Sequence, residues 1–145
     1  MTTSTMLARQ GRQLLQIGIL LFLFTSFEGF VIPYFAAPRL GLSVHTLSAL
    51  EGVLLLVLGL MWPRLTLGAT ASRVAFGFLT YSALAIIVAY LLAAMWGAGN
   101  TTIPMAAGSA HGSAVQELTI TVVAYSSAPT GIIAFALILF GLRSG

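Results

Sequence analysis

The 145-residue chain contains no cysteine, no aspartate and no lysine. Without cysteine there is no disulfide, no thiolate ligand and no sulfur nucleophile. Only 6% of the residues are charged, where a soluble domain carries roughly 25%. Two histidines far apart and three glutamates do not form a zinc pattern. All six basic residues are arginines scattered along the chain. A net charge of +3 built this way marks loop ends rather than a nucleic-acid stripe, and no nucleic-acid partner is expected.

What the chain has in excess is apolar length. Hydrophobic residues make up 59% of it, gathered into four runs. The expectation is an all-α membrane protein, a four-transmembrane-helix bundle in which residues 1–145 form a single four-span domain. Residues 1–11 read as polar and frayed or interfacial. Arg9 and Arg12 precede a run of about 20 residues, longer than the apolar core of a signal peptide, so this run reads as a span.

The first span is placed over Leu14–Phe35, with Pro33 near its end. Glu28 lies within its apolar length, where an ionisable group is costly and should face the bundle, be neutral or be paired. Residues 37–41 form a short turn, and Ser43 is the expected N-cap of the next helix. The second span runs over Val44–Trp62 and ends on Trp62-Pro63-Arg64, an interfacial aromatic, a helix breaker and a charge. A short link makes the third span, Arg73–Trp96, an antiparallel neighbour of the second. Residues 97–114, rich in Gly, Ala, Ser and Thr, form the one long connection and a candidate lid. The fourth span runs over Val115–Leu142, with a kink expected at Pro129-Thr130-Gly131. Arg9, Arg12, Arg64, Arg73 and Arg143 fall at one end of these spans and only Arg39 at the other, which by the positive-inside rule puts both termini in the cytoplasm. A bacterial inner-membrane, multi-pass location follows.

The second span carries the chemistry. Helical spacing aligns His45, Ser48, Ala49 and Gly52 on one stripe, with only small side chains beside the imidazole. Such a stripe is a seat for a flat cofactor or a surface for close helix packing, since Ser48 and Gly52 form a small-xxx-small pair. Glu51 stands about 9 Å along the helix from His45 and about 120° round it, so one helix does not aim both at one atom. A second copy of the chain could complete such a site. Ser82, Ile86 and Tyr90 recur at four-residue spacing on the third span, a stripe that could line a site or bond another helix. Gln116 and Glu117 open the fourth span, where a carboxylate suits a helix N-terminus. His111 lies in a Gly/Ser loop and reads as solvated.

Several motifs carry a resemblance when taken in order. They are Pro38-Arg39-Leu40-Gly41-Leu42 with His45, then Trp62-Pro63-Arg64-Leu65, Leu91-Leu92-Ala93-Ala94 with Trp96-Gly97, Pro104 with Ala106-Ala107-Gly108, Gln116-Glu117 and Gly141-Leu142-Arg143. Through these, nearly the whole chain resembles hydroxylaminobenzene mutase, a small four-span bacterial membrane enzyme. A more distant likeness, on His45, Ala49-Leu50, Gly52 and Tyr90, is to styrene oxide isomerase, a trimer with haem b between subunits. The resemblance implies that His45 is the haem iron ligand, with Ser48, Ala49 and Gly52 at the cofactor seat. It also implies that Glu51 and Tyr90 are catalytic positions and that the chain forms a homotrimer. It implies a small aromatic substrate reaching the site from the bilayer. The chain departs from both families at Glu51, where they carry Asn, at Ile86, which replaces a second Asn, and at Ser82, which replaces an Asp of the isomerase.

The function expected from these residues is a membrane isomerase. It would rearrange an aryl hydroxylamine to an aminophenol, or an aryl epoxide to a carbonyl, with ferric haem as Lewis acid. Two alternatives belong to other classes. One is a small proton-coupled multidrug exporter using Glu28, and the other is a haem carrier without catalysis.

Overall fold

The computed structural model describes residues 2–143. It is helical throughout, and four of its helices are long and apolar enough to cross a membrane. These are α1 (Thr3–Val31), α2 (Pro38–Met61), α3 (Ala69–Trp96) and α5 (Ala114–Arg143), with a one-turn α4 (Pro104–Ala107) in the long connection. Short 3-10 turns, Ile32–Tyr34 and Trp62–Arg64, close α1 and α2. Each turn has proline near its start, where a missing N–H leaves no bond unmade.

The helices pack as two tight pairs, α1 with α2 and α3 with α5. The pairs meet where α2 touches α3, the neighbourhood expected from the short link. The α1–α2 pair is close because its seam is made of small residues. A Cβ built on Gly11 would lie 2.7 Å from the Gly59 carbonyl oxygen, and one on Gly18 would lie 2.9 Å from that of Gly52. Gly11, Gly18 and Thr25 are seven residues apart, two turns each, so they stack on one face of α1. The bulk of the core sits elsewhere, around Leu14, Leu40, Val44, Leu55, Trp62, Leu79 and Ile120, all fully buried.

At the arginine-rich end a single amide joins three segments. The Gln10 Oε1 accepts from Trp62 Nε1 at 3.1 Å and from Ser72 Oγ at 2.5 Å. At the same end Thr66 N donates to the Gly141 carbonyl at 3.0 Å, fixing the α2–α3 link to the end of α5.

The starts of α1 and α2 differ most from the sequence reading. The first helix does not begin after a frayed stretch; it starts at Thr3 with Thr2 as N-cap, whose Oγ1 accepts from Thr5 N at 3.4 Å. Met6 and Leu7 are buried and Gln10 is engaged, so this segment earns helical order from tertiary contacts. Ser43 is not an N-cap. α2 begins at Pro38, because proline at the first helical position gives up an N–H that would be orphaned anyway. Ser43 Oγ instead donates to the Arg39 carbonyl at 3.3 Å. Pro129 lies inside an unbroken α5. Beside it Ser82 Oγ donates to the Ser127 carbonyl at 2.8 Å, and Thr130 Oγ1 to that of Ser126 at 3.0 Å.

Candidate functional site: a carboxyl-anchored histidine on the second helix

His45 lies two turns into α2, where α1 comes back past it. Its Nδ1 is 3.1 Å from Glu28 Oε2 on α1. The ring also lies over Gly29: a Cβ there would be 3.2 Å from His45 Cε1 and 3.5 Å from Nδ1. The imidazole is thus fixed by two consecutive residues of the facing helix. Its side chain is 39% exposed, while that of Glu28 is 2% exposed. Among the described residues no protein group bonds His45 Nε2. One turn deeper, the hydroxyls of Thr25 and Ser48 lie 2.7 Å apart across the same seam.

The stripe beside His45 divides. Ser48 and Gly52 turn to α1: Ser48 is fully buried, and a Cβ on Gly52 would lie 3.2 Å from the Gly18 carbonyl oxygen and 3.3 Å from the Phe22 ring. They make the helix seam rather than an open shelf. Ala49, on the outer side of the stripe, stays partly exposed.

Glu51 and Tyr90 stand apart from His45 within one chain. Glu51 is half-buried and has no hydrogen-bond partner among the described residues. Tyr90 of α3 lines an open cleft of about 420 Å³ with Arg39, Ser43, Thr46 and Leu47. At about 100° per residue, Ser43 and Leu47 point roughly opposite to His45 on α2. Thr46 and Leu42, also in the cleft, lie about 100° and about 60° round from His45, so Tyr90 looks onto a flank of α2 beside the one that carries the imidazole. Ile86 packs against the core, and Ser82 is bonded to α5, so that part of the α3 stripe joins helices.

The long connection is tied down by Glu117. Its carboxylate accepts from Gly99 N at 2.8 Å, Gly112 N at 3.0 Å and Thr101 N at 3.2 Å. The end of α5 is capped by other residues: Ser113 N donates to Gln116 Oε1 at 2.8 Å and Gln116 N to Ser113 Oγ at 3.3 Å, a capping box. Asn100 Nδ2 also bonds the Gly108 carbonyl. His111 is exposed in this connection, as a solvated loop histidine would be.

The pairing of Glu28 with His45 was absent from the sequence reading, which treated the two as separate. A signal existed. Glu28 and His45 are equally distant from the turn at 36–37, so a hairpin folded there brings them level. The pairing also buries the carboxyl that an exporter would need open to its passage.

Proteins of similar sequence cover nearly the whole chain. Hydroxylaminobenzene mutase HabB of Ectopseudomonas oleovorans is 48% identical over 133 residues, 92% of this chain and 81% of that protein. Hydroxylaminobenzene mutase HabA of the same organism is 33% identical over 125 residues, 86% of this chain and 93% of that protein. No solved structure matches. The profile of the styrene oxide isomerase family matches residues 10–143, so nearly the whole chain, His45 hairpin included, belongs to the styrene oxide isomerase family.

Proposed function

We propose that the chain is a haem-dependent membrane isomerase of hydroxylaminobenzene mutase type, in which His45 would hold the haem iron. The observation that carries this reading is the state of His45. Its Nδ1 is anchored at 3.1 Å, its ring is seated over Gly29, and its Nε2 has no protein partner. The donor set fits a haem. Among the described residues no three of His, Cys, Asp and Glu gather as a metal cluster. A lone imidazole suits an iron that brings its other ligands with it. Ala49 would lie against the group, with Ser48 and Gly52 holding α2 on α1 behind it. Bound ferric haem would supply a Lewis acid next to His45.

The rest of the work falls on the chain. In an aryl hydroxylamine the N–O bond breaks and a C–O bond forms at the ortho carbon. A proton leaves that carbon and one is gained at nitrogen, so substrate and product have the same composition. No electrons and no second substrate are needed. Tyr90 is assigned the hydrogen bond to the oxygen as it gains charge in the transition state. Glu51 is assigned the orientation of substrate or water through its acceptor oxygens. An aryl epoxide opening to a carbonyl would use Tyr90 in the same way.

Because Tyr90 and His45 lie on different flanks of α2, the site is proposed to be completed between copies, in a homotrimer. The apolar outer faces around it, with Phe27, Phe30 and Leu50 exposed, suit a substrate that arrives from the bilayer. Both termini are proposed to be cytoplasmic in a bacterial inner membrane, since five of six arginines gather at their end of the bundle. A reporter fused after Gly145 that worked only in the periplasm would overturn that orientation.

The test is direct. Protein purified in mild detergent, with haem supplied during expression, is expected to show a Soret band, to lose most of it in His45→Ala, and to convert hydroxylaminobenzene to aminophenol. A colourless wild type, or a haem-loaded one that turns over neither hydroxylaminobenzene nor an aryl epoxide, would sink the reading.

A further inference from the structure

Glu28 is an ionisable residue placed where lipid-spanning helices tolerate few of them. Its side chain is 2% exposed, and it has one partner, the His45 Nδ1 at 3.1 Å. The other carboxyl oxygen, Oε1, is buried and bonds nothing among the described residues. Buried polar atoms are nearly always bonded, so an orphan oxygen needs a reason.

Glu117 shows what a structural carboxylate looks like in the same chain. It accepts three backbone N–H groups through both oxygens and so ties a loop to a helix. Glu28 ties no backbone. Nor is it needed to join α1 to α2, because the Gly18–Gly52 approach and the Thr25–Ser48 hydroxyl bond already do so. What Glu28 does determine is the imidazole. An Nδ1–H that donates to Oε2 leaves the lone pair on Nε2, the ring nitrogen without a protein partner. Gly29 completes the constraint, since the ring lies where its Cβ would be.

Resting on the haem reading above, we propose that Glu28 is a positioning residue for His45. Its carboxyl selects the tautomer and ring orientation that present Nε2 to the iron, and it increases the electron donation of the ligand. Carboxyl or carbonyl partners of metal-bound histidines act in this way, and their loss typically costs about 10–100-fold in metal affinity.

The test compares full-length wild type, His45→Ala, Glu28→Gln and Glu28→Leu in mild detergent. Haem transfer to an acceptor apoprotein gives affinity. Resonance Raman of the ferrous form gives the iron–histidine stretch, and redox titration gives the potential. Glu28→Leu is expected to lose haem about 10–100-fold more readily. Its stretch should move to lower wavenumber and its potential should rise. Glu28→Gln keeps an oxygen that accepts from Nδ1, so it should retain haem, with stretch and potential between the two. If Glu28→Leu fails to fold, the displacement of stretch and potential in Glu28→Gln decides. Variants that change the melting temperature of the haem-free protein yet keep the wild-type stretch and potential would reduce Glu28 to a helix contact and overturn the proposal. The parent reading fails differently: a wild type that takes up no haem, or a His45→Ala protein that keeps its Soret band, removes both.

Discussion

Gly18 and Gly52 meet backbone to backbone: a Cβ on the first would lie 2.9 Å from the carbonyl oxygen of the second, and one on the second 3.2 Å from that of the first. The contact lies inside one chain. A bulky residue at Gly52 therefore acts first on the fold of the α1–α2 pair and only through it on assembly.

Gly52→Leu is expected to lower the melting temperature of the haem-free protomer, at an overpacking cost of about 1–3 kcal/mol or more. Gly77→Ala is the control. Nothing lies within 4 Å of a Cβ there, and replacing a helical glycine should stabilise by about 0.5–1 kcal/mol. Thermal melts of both variants in one detergent decide. Equal effects would mean that the seam is not tight.

Glu117→Ala removes the acceptor of three backbone N–H groups. Amide exchange at Gly99, Thr101 and Gly112 is expected to speed up together, with a stability loss of about 1–3 kcal/mol. Exchange unchanged at all three would show that the connection is held by other contacts, such as the Thr102–Thr121 hydroxyl bond.

Tyr90→Phe and Glu51→Gln separate the two assigned catalytic positions. Tyr90→Phe should keep haem and lower turnover at least about tenfold, a barrier change of about 1.4 kcal/mol. Glu51→Gln should also keep haem and change turnover by at least about tenfold, because it exchanges an acceptor for a group that both donates and accepts. Glu51→Asn, which carries the same amide on a shorter arm, should follow it in sign. An effect of Glu51→Gln on melting temperature alone would assign Glu51 to packing.

The four spans were legible because bilayer thickness dictates their length, and proline, tryptophan and arginine mark their ends. The start of α1 was not: its one local signal is the Thr2 cap, and Met6, Leu7 and Gln10 are buried or bonded by contacts far away in sequence. The start of α2 reads late because Ser43 looks like a cap, whereas the helix starts at Pro38 with no capping side chain. The His45 stripe was read correctly as a line of small residues. Which of them face a neighbour depends on where α1 lies, and one helix's own periodicity does not carry that. The Glu28–His45 contact was hidden for the same reason. It belongs to the register of a hairpin, and each partner alone looks like an isolated polar intrusion in a span. Ser82 and Tyr90 read as one stripe in the sequence, and the structure separates them: the serine joins α5, and the phenol lines a cleft.

The seam of glycines and hydroxyls leaves α1 and α2 closed against each other, and their large side chains, Leu20, Leu23, Phe27, Leu50 and Val53, on the outside. A seam this tight leaves no room between α1 and α2 for a flat group the size of a porphyrin. If the active pocket exists only where copies meet, its amount follows the association equilibrium of the protomers in the plane of the membrane. Specific activity would then depend on the protein-to-lipid ratio, and adding lipid at fixed protein would switch the enzyme off without touching a single residue.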